Sequence, residues 1–334
     1  MTFTRRLALS LAAAAAARLT SPRPAQAQEW APSQPIKLVV PYPPGGPTDA
    51  IARLVGRELA ASLGQAVVVE NLAGASGAVG ARAVARAEPN GHTIMLGNNQ
   101  THSNNMHLLR EPGYDAVRDF APLAGAGAFE HVFVVSPTLM SGGKPVRSIG
   151  ELVELAHREP GRLNYASTGT GSGSHLATEL FLARTGARMT HVTYRGAAPL
   201  VTDLRAGRVD VSCSTLPSVL GQIQGGALIA IGLASLQRNP AIPEVLTLRE
   251  QGILDADAES WTAFFAPVRT PAPALDRLSR AMLTALNRPV VRDGLGQIGF
   301  TVVPRGPAEF SLYQAEEIEV WGRIIKETKV KQEG

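Results

Sequence analysis

Two segments of this chain combine glycine, proline and short hydroxyl side chains in a way that suits capture of an anion by backbone groups. The first runs Pro41-Tyr42-Pro43-Pro44-Gly45-Gly46-Pro47-Thr48-Asp49. Glycines let backbone N–H groups come close to a bound molecule. A helix starting just behind them offers unpaired donors and the positive end of its dipole. Thr48 suits the N-cap of that helix. Asp49 has two readings, a carboxylate that complements the dipole or one that orients the loop. The second segment runs Tyr165-Ala166-Ser167-Thr168-Gly169-Thr170-Gly171-Ser172-Gly173-Ser174-His175, where hydroxyls alternate with glycines. Such a loop can surround a carboxylate or phosphate with N–H and O–H donors. The alternative is a flexible surface turn.

Two further segments are polar. In Gly97-Asn98-Asn99-Gln100-Thr101-His102 the uncharged side chains suit orientation of a ligand better than catalysis. In Val192-Thr193-Tyr194-Arg195-Gly196, Arg195 either pairs bidentately with an acid or is a solvated surface charge. Catalytic signatures are missing. The second loop lacks the Gly-Lys-Ser/Thr ending of a P-loop. Ser174 stands where the dinucleotide fingerprint needs glycine or alanine, and Gly171 is central where a nucleophile elbow needs serine. The seven histidines are scattered. His102 and His107 are five apart, off a common helix face, and no His-Glu-x-x-His occurs. No local motif unites Ser, His and Asp as a triad. The sequence thus predicts no catalytic residue, no metal and no cofactor.

The elements around these segments follow from periodicity. Ile36 to Val40 reads as a strand. Ile51, Leu54, Val55, Leu59 and Leu63 then recur at helical spacing, with Gly64 as C-terminal cap. Val67–Val69 and Thr93–Leu96 read as strands, and Val79 to Ala87 as a helix. Strands are predicted again at 131–136, 163–166, 189–194, 209–213, 228–234 and 261–268. Ser148 and Glu151 form a capping box for a helix through His157, and Leu176 to Ala183 is a further helix. A helix follows Pro271, and Pro307 opens the last one, with Phe310, Tyr313, Trp321 and Ile324 on its buried side. Each polar segment therefore follows a strand, the position at which open α/β sheets bind ligands. The alternation predicts an α/β protein with a mostly parallel sheet. No linker separates sequential domains. Two lobes would need more than one chain crossing, with 131–136 and 228–235 as candidates; the alternative is one large α/β domain.

The N-terminus reads as an export signal. Arg5 and Arg6 precede the apolar run Leu7 to Ala17, which Arg18 stops, and Ala25-Gln26-Ala27 gives a cleavage site. Arg5-Arg6 after Thr4 also fits a twin-arginine signal, although Ala8 stands where an aromatic is usual. The chain carries 32 basic and 28 acidic residues. Arg5, Arg6, Arg18 and Arg23 fall within the leader, so 32 − 4 leaves 28 of each sign after cleavage. Nucleic acid and anionic membranes are not expected partners of a neutral protein. Cys213 is the single cysteine, which rules out an internal disulfide and suits a small core residue.

Over most of its length the chain resembles the Bug family, the extracytoplasmic solute receptors of tripartite tricarboxylate transporters. The similar stretches are VVPYPPGGPTDAIAR, VVVENLAGASGAVG, EPNGHTIMLG, GYDAVRDFAPLA, EPGRLNYASTGTGSGSHLATELF, HVTYRGAAPLVTDLRAGRVDV and the region from WTAFFAP, in the family's order. The resemblance implies a type II periplasmic-binding-protein fold, with two α/β lobes, a hinge and an interlobe ligand cleft. With the leader and the crossing candidates above, this puts residues 1–27 in the signal peptide, 28–130 and 236–334 in lobe 1, and 131–235 in lobe 2. It implies a periplasmic monomer, not an enzyme, that captures a small organic acid for membrane permease subunits. The alternatives are a ligand-sensing subunit of a signalling system and an α/β hydrolase or transferase. The resemblance implies ligand contacts in the loops Tyr42 to Asp49 and Ser167 to His175, and with the polar segments above the expected contacts are Tyr42, Pro43, Pro44, Gly45, Gly46, Thr48, Asp49, Asn98, Thr101, His102, Ser167, Thr168, Gly169, Gly171, Ser172, His175, Tyr194, Arg195, Gly196, Ser214 and Thr215. Ser214-Thr215 stand before Leu216-Pro217-Ser218 where many members carry Asp-Asn, which removes an acid that would meet a ligand ammonium. Gln100 and Ala263 replace usual glycines.

Overall fold

The computed structural model describes residues 30–330. The leader and its cleavage site lie outside the described residues.

The chain order builds a mixed sheet flanked by helices. Strand β1 (Ile36–Val40) leads to helix α1 (Pro47–Leu63), then β2 (Val67–Asn71), α2 (Ala78–Ala85) and β3 (Thr93–Asn98). A π-type turn, Gln100–Asn104, joins the short α3 (Asn105–Leu108). The long β4 (Phe120–Val135) follows, then the small hairpin β5 (Met140–Ser141) and β6 (Lys144–Pro145). Next come α4 (Ile149–Arg158), β7 (Asn164–Ser167), α5 (Gly173–Thr185), β8 (Thr190–Thr193), α6 (Ala197–Arg205), β9 (Val211–Thr215), α7 (Leu216–Gln224) and β10 (Ile229–Leu233). The chain closes with β11 (Glu259–Pro267), α8 (Ala272–Asn287), α9 (Pro289–Gln297), β12 (Phe300–Arg305) and α10 (Pro307–Thr328).

Local signals account for many boundaries. Gly64 takes the left-handed conformation at the end of α1, with φ +67°, and its N–H bonds to the carbonyl of Ala60. Ser148 caps α4 by accepting from the Glu151 N–H, while the Glu151 carboxylate accepts from Arg147 N. One expected cap is corrected. Gly46, not Thr48, is the N-cap of α1, because Pro47 takes the first helical position, where its missing N–H costs nothing.

The sheet is less parallel than the alternation suggests. Strands β2, β1 and β3 are parallel, as are β9, β7 and β8. Between these groups β11 runs antiparallel to β3 and β4, and β4 runs antiparallel to β9, β10 and β12. β4 joins the two groups. Its residues up to Glu130 pair with β11 and those up to Phe129 with β12, whereas His131–Val135 pair with β9. Within β4, β10 pairs with Val132–Val135, and the return runs through 234–258, where Ala258 N donates to the Ala234 carbonyl.

Each half of the sheet has its own apolar packing. Val39, Met95, Phe120, Trp261, Phe265 and Phe310 cluster beside the first group. In the second half the alternation of β4 splits the core between two faces. Phe133 and Val135 pack with Tyr165, Cys213 and helices α4 and α5, while Val132 and Val134 pack with Leu200, Leu216 and Val219. Residues of 236–258 join these second-half clusters through Ile242, Val245, Leu248, Ala256 and Ala258. Helix α10 spans both halves: Phe310 lies in the first-half cluster, Trp321 and Ile324 in the second. No helix among the described residues is long and apolar enough to cross a membrane.

Candidate functional site

The first loop is held from beneath by one carboxylate. Asp49 is 5% exposed. Its Oδ2 accepts from Gly45 N at 3.0 Å and from Arg53 Nε at 2.9 Å, and its Oδ1 accepts from Asn71 Nδ2 at 3.1 Å. Asn71 Nδ2 also donates to the Tyr42 carbonyl, and the Tyr42 hydroxyl donates to Asn98 Oδ1 at 2.9 Å. Of the two readings of Asp49, the geometry supports orientation of the loop. Burial alone would raise its pKa. The bonds from Arg53, Gly45 and Asn71 outweigh that and hold the carboxyl below its usual range. Pro43, Pro44 and Gly45 form the exposed tip. Gly45 has φ +84° with open space where a Cβ would stand. The Gly46 N–H closes a turn on the Pro43 carbonyl, whereas among the described residues no acceptor meets the N–H of Thr48.

Replacing Asp49 with alanine strips three donors of their acceptor. The expected loss of stability is on the order of 2 kcal/mol. The pH profile identifies the cause. A lowered folded-state pKa gives stability that is present above the ordinary Asp range and lost as pH falls through the lowered value. Melting temperature followed against pH should show the two proteins converging in acid. A constant gap at all pH would refute this account.

The second loop is built on α5. Ser172 caps this helix by accepting from His175 N at 3.3 Å. Thr168 N donates to Ser174 Oγ, Gly169 N to Ser167 Oγ, and Gly171 N to His175 Nδ1 at 2.9 Å. His175 therefore carries its proton on Nε2, and burial and then the neighbouring His191 push its pKa down to about 3. Its ring stacks on His191 at 3.9 Å, and His191 on Tyr165 at 4.7 Å. The N–H groups of Thr170, Gly173 and Ser174 have no acceptor among the described residues. Gly169, with φ +141°, faces open space, whereas Gly171, with φ +74°, lies against Leu108 of α3.

The other expected residues fall into three settings. Asn98 and Thr101 form a tight turn beside Tyr42, in which Thr101 N and Oγ1 both donate to Asn98. His102 is core: it is fully buried, stacked on Phe265 at 3.8 Å and edge-on to Phe120 at 4.6 Å. Burial holds it neutral, with a pKa down to about 3. Tyr194 donates to Asp203, and Gly196, with φ +102°, opens α6. Arg195 is exposed and makes no ion pair among the described residues. At the end of β9, Ser214 is buried against Ser212, and Thr215 Oγ1 contacts Ser218 Oγ.

Two contributors escaped sequence reasoning. Asn71 ends the VVVEN strand, and that position after a strand was its only signal. His191 Nε2 lies 2.7 Å from Ser167 Oγ. Ser167 has no exposed surface and its hydroxyl also reaches the Gly169 carbonyl, so the contact orders the loop. The described residues contain no group of three or more His, Cys, Asp or Glu placed to hold a metal ion.

Comparison with known proteins sets this geometry in a family. Residues 51–330 match the model of the tripartite tricarboxylate transporter family receptor. The solved periplasmic binding protein BugD is similar, with TM-score 0.82 and 29% identity, covering 90% of this chain and 100% of its own. The Rhodopseudomonas palustris protein Rpa4515, solved with adipate, aligns with TM-score 0.85 and 30% identity over 90% of this chain and 99% of its own. MatC from the same organism, solved with bound malate, gives TM-score 0.80 and 31% identity over 88% and 99%. Paired glycine loops on two halves of one mixed sheet are thus set in the α/β fold of periplasmic binding proteins, and the chain belongs to the receptor family of the tripartite tricarboxylate transporters.

Proposed function

We propose that this protein captures a small dicarboxylic acid between its two sheet halves and presents it, unaltered, to the membrane permease subunits of a tripartite transporter. One observation carries the reading. Each half ends a strand in a glycine-rich loop with free N–H groups at a helix start, Thr48 in the first turn of α1 and Gly173 and Ser174 in that of α5. Such groups bind carboxylates through both hydrogen bonds and the helix dipole. Adipate in Rpa4515 and malate in MatC support the dicarboxylate class. The exposed Arg195 supplies a cation for the second carboxylate.

We assign the described residues up to 130 and from 259 on to the first lobe and 131–258 to the second, because the apolar residues of 236–258 pack with the second half. A ligand gripped by both lobes prefers the closed form, and that difference in affinity shifts the population. We place the mature protein in the periplasm as a monomer beginning at Gln28.

The test is a thermal-shift screen of organic acids on purified protein, followed by mass spectrometry of the retained ligand and small-angle scattering. The cognate acid should raise the melting temperature in a concentration-dependent way, come back intact and reduce the radius of gyration. A chemically altered acid would overturn the receptor role. Binding with no change in radius would overturn closure.

A further inference from the structure

Among the described residues three stretches of chain cross between the sheet halves, and each brings a glutamate to the crossing. Glu130 is the last residue of β4 to pair with β11 before the partners change at His131. Glu259 opens β11 and is its cross-strand partner. Glu317 lies on α10 between Phe310 in the first-half cluster and Trp321 in the second. Like charges directly opposite on neighbouring strands repel.

The surroundings do not neutralise them. Glu130 is 9% exposed; one oxygen accepts from Thr301 Oγ1 at 2.7 Å, and the other is buried with no close hydrogen bond among the described residues, the Asn239 side chain giving its charged form only minor support. Glu317 accepts from Trp321 Nε1 at 3.0 Å. The other charged and titratable groups that face the cluster are Asp257 from the return segment, Tyr313 and Glu316 from α10, and Arg305 from β12. Asp257 is itself paired with Arg249. Arg305 reaches Glu309 at 3.6 Å and lies over the Tyr313 ring at 4.2 Å. Of the three carboxyls only Glu317 has a cation acting on it among the described residues, the partly committed Arg305.

We propose that Glu130, Glu259 and Glu317 make the crossing between the halves proton-linked: the arrangement described here keeps a proton among them, and its loss favours a conformer in which the crossings move apart. The inference rests on the reading that the two halves move about these crossings. Burial first, and then the charges of Glu130, Glu317 and Asp257, push Glu259 up to about 7. Burial likewise raises Glu130 and Glu317. The sign follows from linkage. A carboxyl whose folded-state pKa is raised stabilises this arrangement fully below the ordinary Glu range, and that stabilisation is lost as pH rises through about 7. Simple ligand carboxylates are already ionised there, so the dependence belongs to the protein.

The experiment uses ligand-free protein, so failure of the acid-binding reading leaves its outcome intact. Carbon-13 carboxyl-labelled glutamate is followed by NMR between about pH 5 and about pH 9, alongside small-angle scattering. One glutamate should titrate near 7. The radius of gyration should grow across the same window, and both signals should vanish in Glu259→Gln. Should that variant fail to fold, Glu130→Gln serves, and the expected result is a lower midpoint for the remaining cluster. The proposal is overturned by any of three results: no glutamate titrating above about pH 6, titration without a change in radius, or a scattering change that persists in the variant.

Discussion

Gly127→Ala is expected to leave little or no folded protein. Gly127 lies in β4 with φ +146°, and a Cβ there would stand 2.0 Å from the Thr301 carbonyl oxygen and 2.9 Å from Val303 N. Both obstacles are backbone atoms of β12, which pairs with β4 at Thr301 and Val302. On its other edge β4 is fixed by β11 through Thr262. No rotamer change relieves such a contact; one strand must leave. The cost should exceed about 4 kcal/mol, a large share of the roughly 5–15 kcal/mol that holds a typical domain. Gly125 provides the comparison. A Cβ there meets the Phe310 ring at 2.7 Å, a side chain that can shift, so Gly125→Ala should be folded but weaker. Soluble yield, far-ultraviolet circular dichroism and melting temperature report the outcome. A Gly127→Ala protein melting with the wild type would show that β12 is not docked as described.

Gly45→Val should remove ligand binding while leaving the fold. No atom lies within 4 Å of the position its Cβ would take, so the core is untouched. The φ of +84° makes a branched side chain cost about 1–2 kcal/mol, and the melting temperature should fall modestly. The isopropyl group would stand at the exposed tip of the loop that leads to the free Thr48 N–H. Loss of close backbone approach should weaken binding at least ~100-fold, about 2.7 kcal/mol. Titration calorimetry with the acid that stabilises the wild type, adipate and malate being the first probes, measures it. Equal affinity in the variant would remove this loop from the site. Gly171→Val is a poorer test, because its Cβ would press on Leu108 at 2.6 Å and so mix strain with lost binding.

Much of this architecture was legible in the residue order, because it depends on neighbours in sequence. The alternation of apolar runs marked every strand of the two parallel groups. Gly64 marked the end of α1 and Ser148 the start of α4, whereas the start of α1 fell at Gly46 and not at the expected Thr48. The two glycine loops were visible as strand–loop–helix junctions, and the chain's similarity to a receptor family followed from several such junctions in one order. The tertiary structure decided everything that depends on distant partners. Asp49 orients its loop only because Asn71 folds back to meet it and the Tyr42 carbonyl. His102 is core only because Phe265 and Phe120 enclose it. The change of partners within β4 is invisible in its own sequence, since both parts are equally apolar and only β11, β12, β9 and β10 tell them apart. The same holds for the glutamates at the crossing, which come from three separate elements far apart in the chain. Periodicity and capping act within a few residues, whereas burial and charge act through space, and only the folded chain brings such groups together.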